Sequence, residues 1–95
     1  METRHFEDPF LKILPTLDVH GELSDTVITP LKDFILLNQR MGKLKIAVIH
    51  GHHSHILRDA IHAYLKNDKR VTKFYTYNFN AGITIVELTP YVKLL

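Results

Sequence analysis

Residues 44–66 read LKIAVIHGHHSHILRDAIHAYLK, and three kinds of patterning follow one another in that stretch. Leu44–His50 is almost continuously apolar, as a strand covered on both faces must be. Gly51–His55 has no period and opens on a glycine, which marks a loop. Ile56–Lys66 sets Leu57, Ile61, Tyr64 and Leu65 at helical spacing, so one face of a helix is apolar. A buried strand feeding a helix is half of a βαβ unit, and it predicts a parallel pair joined by a right-handed crossover.

The flanking segments complete the pattern. Leu17–His20 reads as a short strand ended by Gly21. A helix follows, carrying Leu31, Phe34, Ile35 and Asn38 on one face, with Leu37 beside them and Gly42 as its stop. Thr29-Pro30 is its best start signal, because proline in the first turn loses no needed N–H. Ser24 is the other candidate cap, with a start near Asp25. Val71–Tyr77 and Ile83–Leu88 read as strands, and the five residues Asn78–Gly82 make them an antiparallel hairpin. The order is βαβαββ, an α/β domain over residues 16–95. Residues 1–15 hold Phe6, Phe10, Leu11, Ile13 and Leu14 between and around Pro9 and Pro15. They are expected to form an arm that packs on the domain or on a partner.

The chain has 95 residues, the length of one domain. It has no cysteine, which excludes disulfides, thiolate zinc sites and cysteine nucleophiles. Folding must therefore rest on apolar burial. Leu, Ile, Val and Phe make up 33 of the 95 residues, well above the roughly 20% below which chains stay disordered. No apolar run approaches the ~18 residues of a membrane span, so no membrane partner is expected. The segment METRHFEDPF is too charged for a signal peptide, and the cytoplasm is the expected compartment. The net charge of +2 is small, but residues 1–33 carry −4 and residues 34–95 carry +6. Such polarity suggests a side that faces a polyanion, although it also serves solubility.

Two strand ends carry the same dipeptide, His20-Gly21 and His50-Gly51. Ligands of open α/β sheets bind beyond the carboxyl ends of the strands, and parallel strands bring both dipeptides to one edge. Asp18 and His20 stand two apart on a strand and so share a face. A carboxylate beside an imidazole fixes its tautomer and raises its basicity. That suits a general base acting on a ribose 2′-OH or on water; a purely structural pair is the alternative. Arg58 stands near the start of the second helix, where backbone N–H groups favour phosphate, with Asp59 or Asp25 as alternative ion partners. Lys73, Tyr75 and Tyr77 alternate on one face of the third strand, opposite Phe74. With helices on the Phe74 face, those three form a stacking platform for single-stranded bases, or else an ordinary β surface or a dimer contact. His20, His50, His52, His53 and His55 offer imidazoles to a divalent metal. Their spacing is not that of a structural zinc site, and an empty or opportunistically occupied loop is expected.

The residues also carry a family resemblance. Leu17-Asp18-Val19-His20-Gly21 resembles the LDLHG box of Smr (small MutS-related) domains. His50-Gly51 followed by Leu57-Arg58 resembles that family's HGxGxGxLR loop, and Ile83–Leu88 resembles its last strand. The resemblance covers residues 17–88. It implies a two-layer sandwich whose four-stranded mixed sheet, in order 1-2-4-3, has two helices on one face. It also implies nucleic-acid binding and endonuclease activity, nicking of DNA or cleavage of RNA, including on ribosomes. Asp18 and His20 match the residues thought to do the chemistry; His50, Gly51 and Arg58 match the substrate loop. The family loop usually reads H-G-K-G-T-G, whereas this one reads His50-Gly51-His52-His53-Ser54-His55. Histidines replace two glycines that would give a bare-backbone phosphate cradle, and their imidazoles become donors to phosphate in its place.

The expected function is thus a metal-independent, cofactor-free endonuclease of Smr type acting on RNA or DNA. Asp18 and His20 are its acid–base pair; the loop residues His50, Gly51, His52, His53, Ser54 and His55, with Arg58, Lys73, Tyr75 and Tyr77, hold the nucleic acid. A non-catalytic binding module and a histidine-rich metal-binding domain are the alternatives, and ribosome association and a homodimer are the further partners considered.

Overall fold

The computed structural model describes residues 9–53 and 55–92. The first eight residues of the arm, Phe6 among them, lie outside the described residues, as do Ser54 and the last three positions. The elements run α1 (Pro9–Lys12), β1 (Thr16–Asp18), α2 (Ile28–Arg40), β2 (Lys45–Ile49), α3 (His55–Lys66), β3 (Val71–Tyr77) and β4 (Asn80–Leu88). The four strands form one mixed sheet in the order β1-β2-β4-β3. β1 and β2 are parallel, with Thr16 opposite Ala47 and Asp18 opposite Ile49. β4 runs antiparallel to both β2 and β3.

The near-continuous apolar run of β2 has a direct cause: both of its faces are covered. Ile46 and Val48 face α2 and α3, where they join Leu31, Ile35, Leu57 and Ile61 in the main core. Ala47 and Ile49 point the other way and pack with Leu11, Tyr77, Ile83 and Ile85. The short α1 lies on this second face, where the Phe10 ring stacks on Tyr77 with centroids 5.6 Å apart and planes 15° apart. The strand alternation of period two therefore sorts residues between a helix-covered layer and a layer only partly covered by the arm.

Several element ends differ from the sequence expectation. The helix α2 begins at Ile28; neither Ser24 nor Thr29 caps it, and Val27 precedes it with helical dihedrals and no side-chain cap. Pro30 is thus the third helical residue, still among the first four whose N–H has no intrahelical acceptor, so it costs no hydrogen bond. The hairpin turn is Asn78–Phe79 and not five residues, because β4 already pairs with β3 at Asn80. β1 ends at Asp18 and β2 at Ile49, two residues and one residue before their respective histidines in the expected strands.

Candidate functional site

The carboxyl ends of β1 and β2 form the edge at which the two His-Gly pairs meet. The Val19 N–H donates to the Ile49 carbonyl at 2.8 Å, continuing the parallel register past the end of β1. Gly21 and Gly51 both take positive φ, 85° and 89°, so each histidine is followed by a turn that side-chain-bearing residues rarely make. A Cβ built on Gly51 would lie 3.5 Å from the His20 Cβ, which puts the two turns in contact.

Asp18 and His20 form a close pair. Asp18 Oδ1 accepts from His20 Nδ1 at 2.6 Å and from the His20 backbone N–H at 3.2 Å. Both side chains are open to solvent, His20 at 68% and Asp18 at 41% exposure, so the pair is reachable by a ligand. With Nδ1–H committed to the carboxylate, Nε2 presents its lone pair outward. The hydrogen bond and charge of Asp18 hold the His20 pKa above its ordinary value.

His50 is placed otherwise than expected. Asp18 stands opposite Ile49, on the arm side of the sheet, so the residue that follows β2 points to the helix side. The His50 ring is 1% exposed, beneath α3. Its Nε2 lies 2.8 Å from Thr84 Oγ1 and its Nδ1 3.2 Å from the Gly51 carbonyl. His62 of α3 reaches the same Thr84 oxygen at 2.8 Å from the other side. One hydroxyl between two imidazoles sets the protons: His50 Nδ1–H donates to Gly51, Thr84 O–H donates to His50 Nε2, and His62 Nε2–H donates to Thr84. Burial pushes both imidazole pKa values down, and the nearby Arg58 guanidinium adds to the effect in each case. The expectation that His50 touches phosphate is therefore corrected: its ring is a buried strut under the loop. His62 and Thr84 were missed in the sequence. A lone hydroxyl in the apolar stretch Ile83–Leu88 was the available signal.

The loop itself is anchored from β4. The Gly82 carbonyl accepts the N–H groups of both His50 and Gly51, at 2.9 and 3.0 Å. His52 and His53 are exposed, and His55 is the first residue of α3. Among the described residues no side-chain-bearing position has positive φ, so His53 and His55 do not adopt the glycine-like angles that the family loop pattern implied. Ser54, included in the expected substrate loop, lies outside the described residues. Arg58 Nε and Nη2 donate to Asp59 Oδ1 at 3.2 and 3.1 Å. Asp59 is 67% exposed, and such a surface pair is worth only about 0–1 kcal/mol, so a phosphate can replace it. Among the described residues no three of His, Asp and Glu converge as a bound metal would need. Among them, too, no helix is long and apolar enough to cross a membrane.

The expected platform of Lys73, Tyr75 and Tyr77 is not an open row. Tyr77 is only 8% exposed, because Phe10 covers it. Tyr75 donates its hydroxyl to Glu87 at 3.1 Å, and Lys73 Nζ lies 4.0 Å from the same carboxylate. A carboxylate in the middle of the row works against a polyanion. The arm residue Phe10 lay outside the strand pattern, so alternation within β3 had no means of reporting the cover.

The family model of the Smr domain matches residues 17–89. This chain belongs to the Smr family. The chain is 30% identical over 89 residues to a protein named Endonuclease MutS2 from Caldanaerobacter subterraneus subsp. tengcongensis. That alignment covers 90% of this chain but 11% of the relative, so the chain spans about a tenth of that protein's length. Among solved structures, the Smr domain of Thermus thermophilus MutS2 superposes with a TM-score of 0.78 at 25% identity, covering 81% of this chain and all of that one. The fold is also that of YdaL, a stand-alone small MutS-related protein from Escherichia coli, with a TM-score of 0.71 at 21% identity. That match covers 77% of this chain and 63% of YdaL.

Proposed function

We propose that this Smr domain binds nucleic acid and cleaves a phosphodiester bond, with RNA as the preferred substrate. The observation that carries the reading is the 2.6 Å contact between Asp18 Oδ1 and His20 Nδ1, exposed at the strand edge beside Gly51. The Endonuclease MutS2 name of the 30% identical relative supports it.

In RNA, His20 Nε2 accepts the proton of a ribose 2′-OH. The 2′ oxygen forms a bond to phosphorus while the bond to the 5′ oxygen breaks. The 5′ oxygen leaves and takes a proton from solvent water, the hydroxide so formed takes the proton back from His20, and the product is a cyclic 2′,3′-phosphate. Asp18 fixes the tautomer and stabilises the imidazolium that results. Donors for the phosphate come from His52 and His53, from Arg58 once it leaves Asp59, and from the first N–H groups of α3. DNA lacks the 2′-OH, so there His20 would have to activate water.

The test is incubation with labelled single-stranded RNA and with plasmid DNA, with and without a chelator, beside His20→Ala and Asp18→Asn. RNA cleavage by the wild type, lost in His20→Ala while binding persists, is expected. Wild-type protein that binds RNA and does not cut it would leave the binding-module reading, which the loss of the glycine cradle favours.

A further inference from the structure

A cavity of about 240 Å³ opens on the arm side of the sheet, between α1 and the strands. Its walls are Leu11 and Leu14 from the arm and Ala47, Ile49 and Ile83 from the sheet. Two polar residues complete the lining, Lys12 and Thr16, and both are exposed. We propose that this cavity seats one unpaired base of the bound nucleic acid, next to the phosphate handled by Asp18 and His20. The inference rests on the functional reading above and names the part of the substrate that the site selects.

Three observations carry it. The first is register. Thr16 lines the cavity, and Asp18 follows two residues later on the same face of β1. At a strand rise of about 3.3 Å per residue, the two Cα atoms are roughly 7 Å apart, about one nucleotide step. Ile49, the register partner of Asp18, is itself a wall of the cavity. The second is size. The volume falls below the ~300–1,000 Å³ of pockets for drug-sized ligands, so it suits a single ring system. The third is chemistry. Apolar walls match the faces of a base, the Thr16 oxygen can accept from its edge, and the Lys12 ammonium matches a backbone phosphate. A paired base cannot enter a cavity closed on one side by the sheet and on the other by α1, so single strands are selected.

The test compares binding of the full chain to a single-stranded hexanucleotide and to the same ribose-phosphate hexamer without bases. Wild-type protein should bind the intact oligomer about tenfold more tightly. Ala47→Leu fills the cavity from the sheet and should close that gap while leaving affinity for the abasic hexamer unchanged. Thr16→Leu narrows the cavity from an exposed edge position, adds no aromatic face on which a base could stack, and should do the same without loading the core; melting curves report whether each variant folds. A gap that persists in a folded variant would overturn the inference and leave the cavity to an apolar occupant. Equal binding of the two hexamers by wild-type protein would overturn it while sparing the functional reading. Failure of wild-type protein to bind either hexamer would overturn both.

Discussion

Gly82 lies so close to Gly51 that a Cβ built on it would stand 2.9 Å from the Gly51 carbonyl carbon and 3.1 Å from the His52 nitrogen. The start of β4 is thus the seat of the histidine loop, held by the two N–H bonds to the Gly82 carbonyl. The atoms in the way are backbone, which cannot swing aside as a side chain can. Gly82→Ala is expected to cost about 1–3 kcal/mol of stability, the range of an overpacked site. It should also weaken phosphate binding while the Asp18–His20 pair stays in place. Melting temperature and RNA affinity measured on the same preparation check this; wild-type values for both would show that the seat yields.

The Asp18–His20 pair predicts the shape of a pH profile. Asp18 raises the His20 pKa, so the imidazole stays protonated to higher pH than an isolated one. A general base works only when deprotonated. Cleavage should rise with pH through a midpoint above the ordinary ~6.5 and then level off. Asp18→Asn should move the midpoint down and lower the rate by roughly 10²–10⁴-fold. Both side chains are exposed, so the melting temperature should hardly change. A profile in Asp18→Asn that keeps the wild-type midpoint would remove the carboxylate's role.

Thr84 is fully buried between two imidazoles. Thr84→Val keeps the volume and removes the hydroxyl, which leaves the buried His50 ring nitrogen and the half-buried His62 ring nitrogen without that partner. The expected cost is about 1–3 kcal/mol. The same strut makes stability depend on pH. Burial lowers the folded pKa values of His50 and His62, so near their unfolded value the unfolded chain binds more protons. Stability is therefore full above about pH 6.5 and declines as pH falls below it towards the folded values. Melting temperatures at pH 7.5 and 5.5 in His20→Ala, which lacks the opposing contribution of the Asp18–His20 pair, read this directly, and a flat profile down to pH 5 would contradict it.

The turn between α3 and β3 depends on Asp68. Its carboxylate accepts from Arg70 Nε and Nη2 and from the Tyr64 hydroxyl, and it is only 4% exposed. The Arg70 hydrogen bonds come first among the causes that lower its pKa to about 2. That contribution to stability is present above the unfolded value near 3.9 and is lost as pH falls towards 2. Asp68→Asn should destabilise the domain by about 2–3 kcal/mol at neutral pH, from roughly 1.4 kcal/mol per unit of lowered pKa. Denaturant unfolding of the variant at pH 7 and pH 3 checks it: the difference from wild type should shrink at the lower pH.

Much of this protein was determined by local pattern. The bounds of β3, Val71 to Tyr77, follow from its β-branched and aromatic residues and from the turn residues that flank it. The both-faces-buried character of β2 follows from an apolar run that lacks a polar side. The shared face of Asp18 and His20 follows from a period of two, a property of any strand in any fold. The family boxes stand in order along the chain and reach the same conclusion from different residues.

Which face is covered, and by what, is not a local property. His50 reads like His20 in sequence, a histidine before a glycine at a strand end. Register alone sends it beneath α3, because its neighbour Ile49 is the residue opposite Asp18. Tyr77 reads like Tyr75, yet Phe10, 67 positions away, stacks on it and takes it out of solvent. Gly82 reads as a loop glycine and is instead the seat of a loop 31 positions earlier. Each of these depends on contacts between segments far apart in the chain. Side-chain periodicity reports only how residues alternate along one element, whereas burial is set by the partner that packs against it.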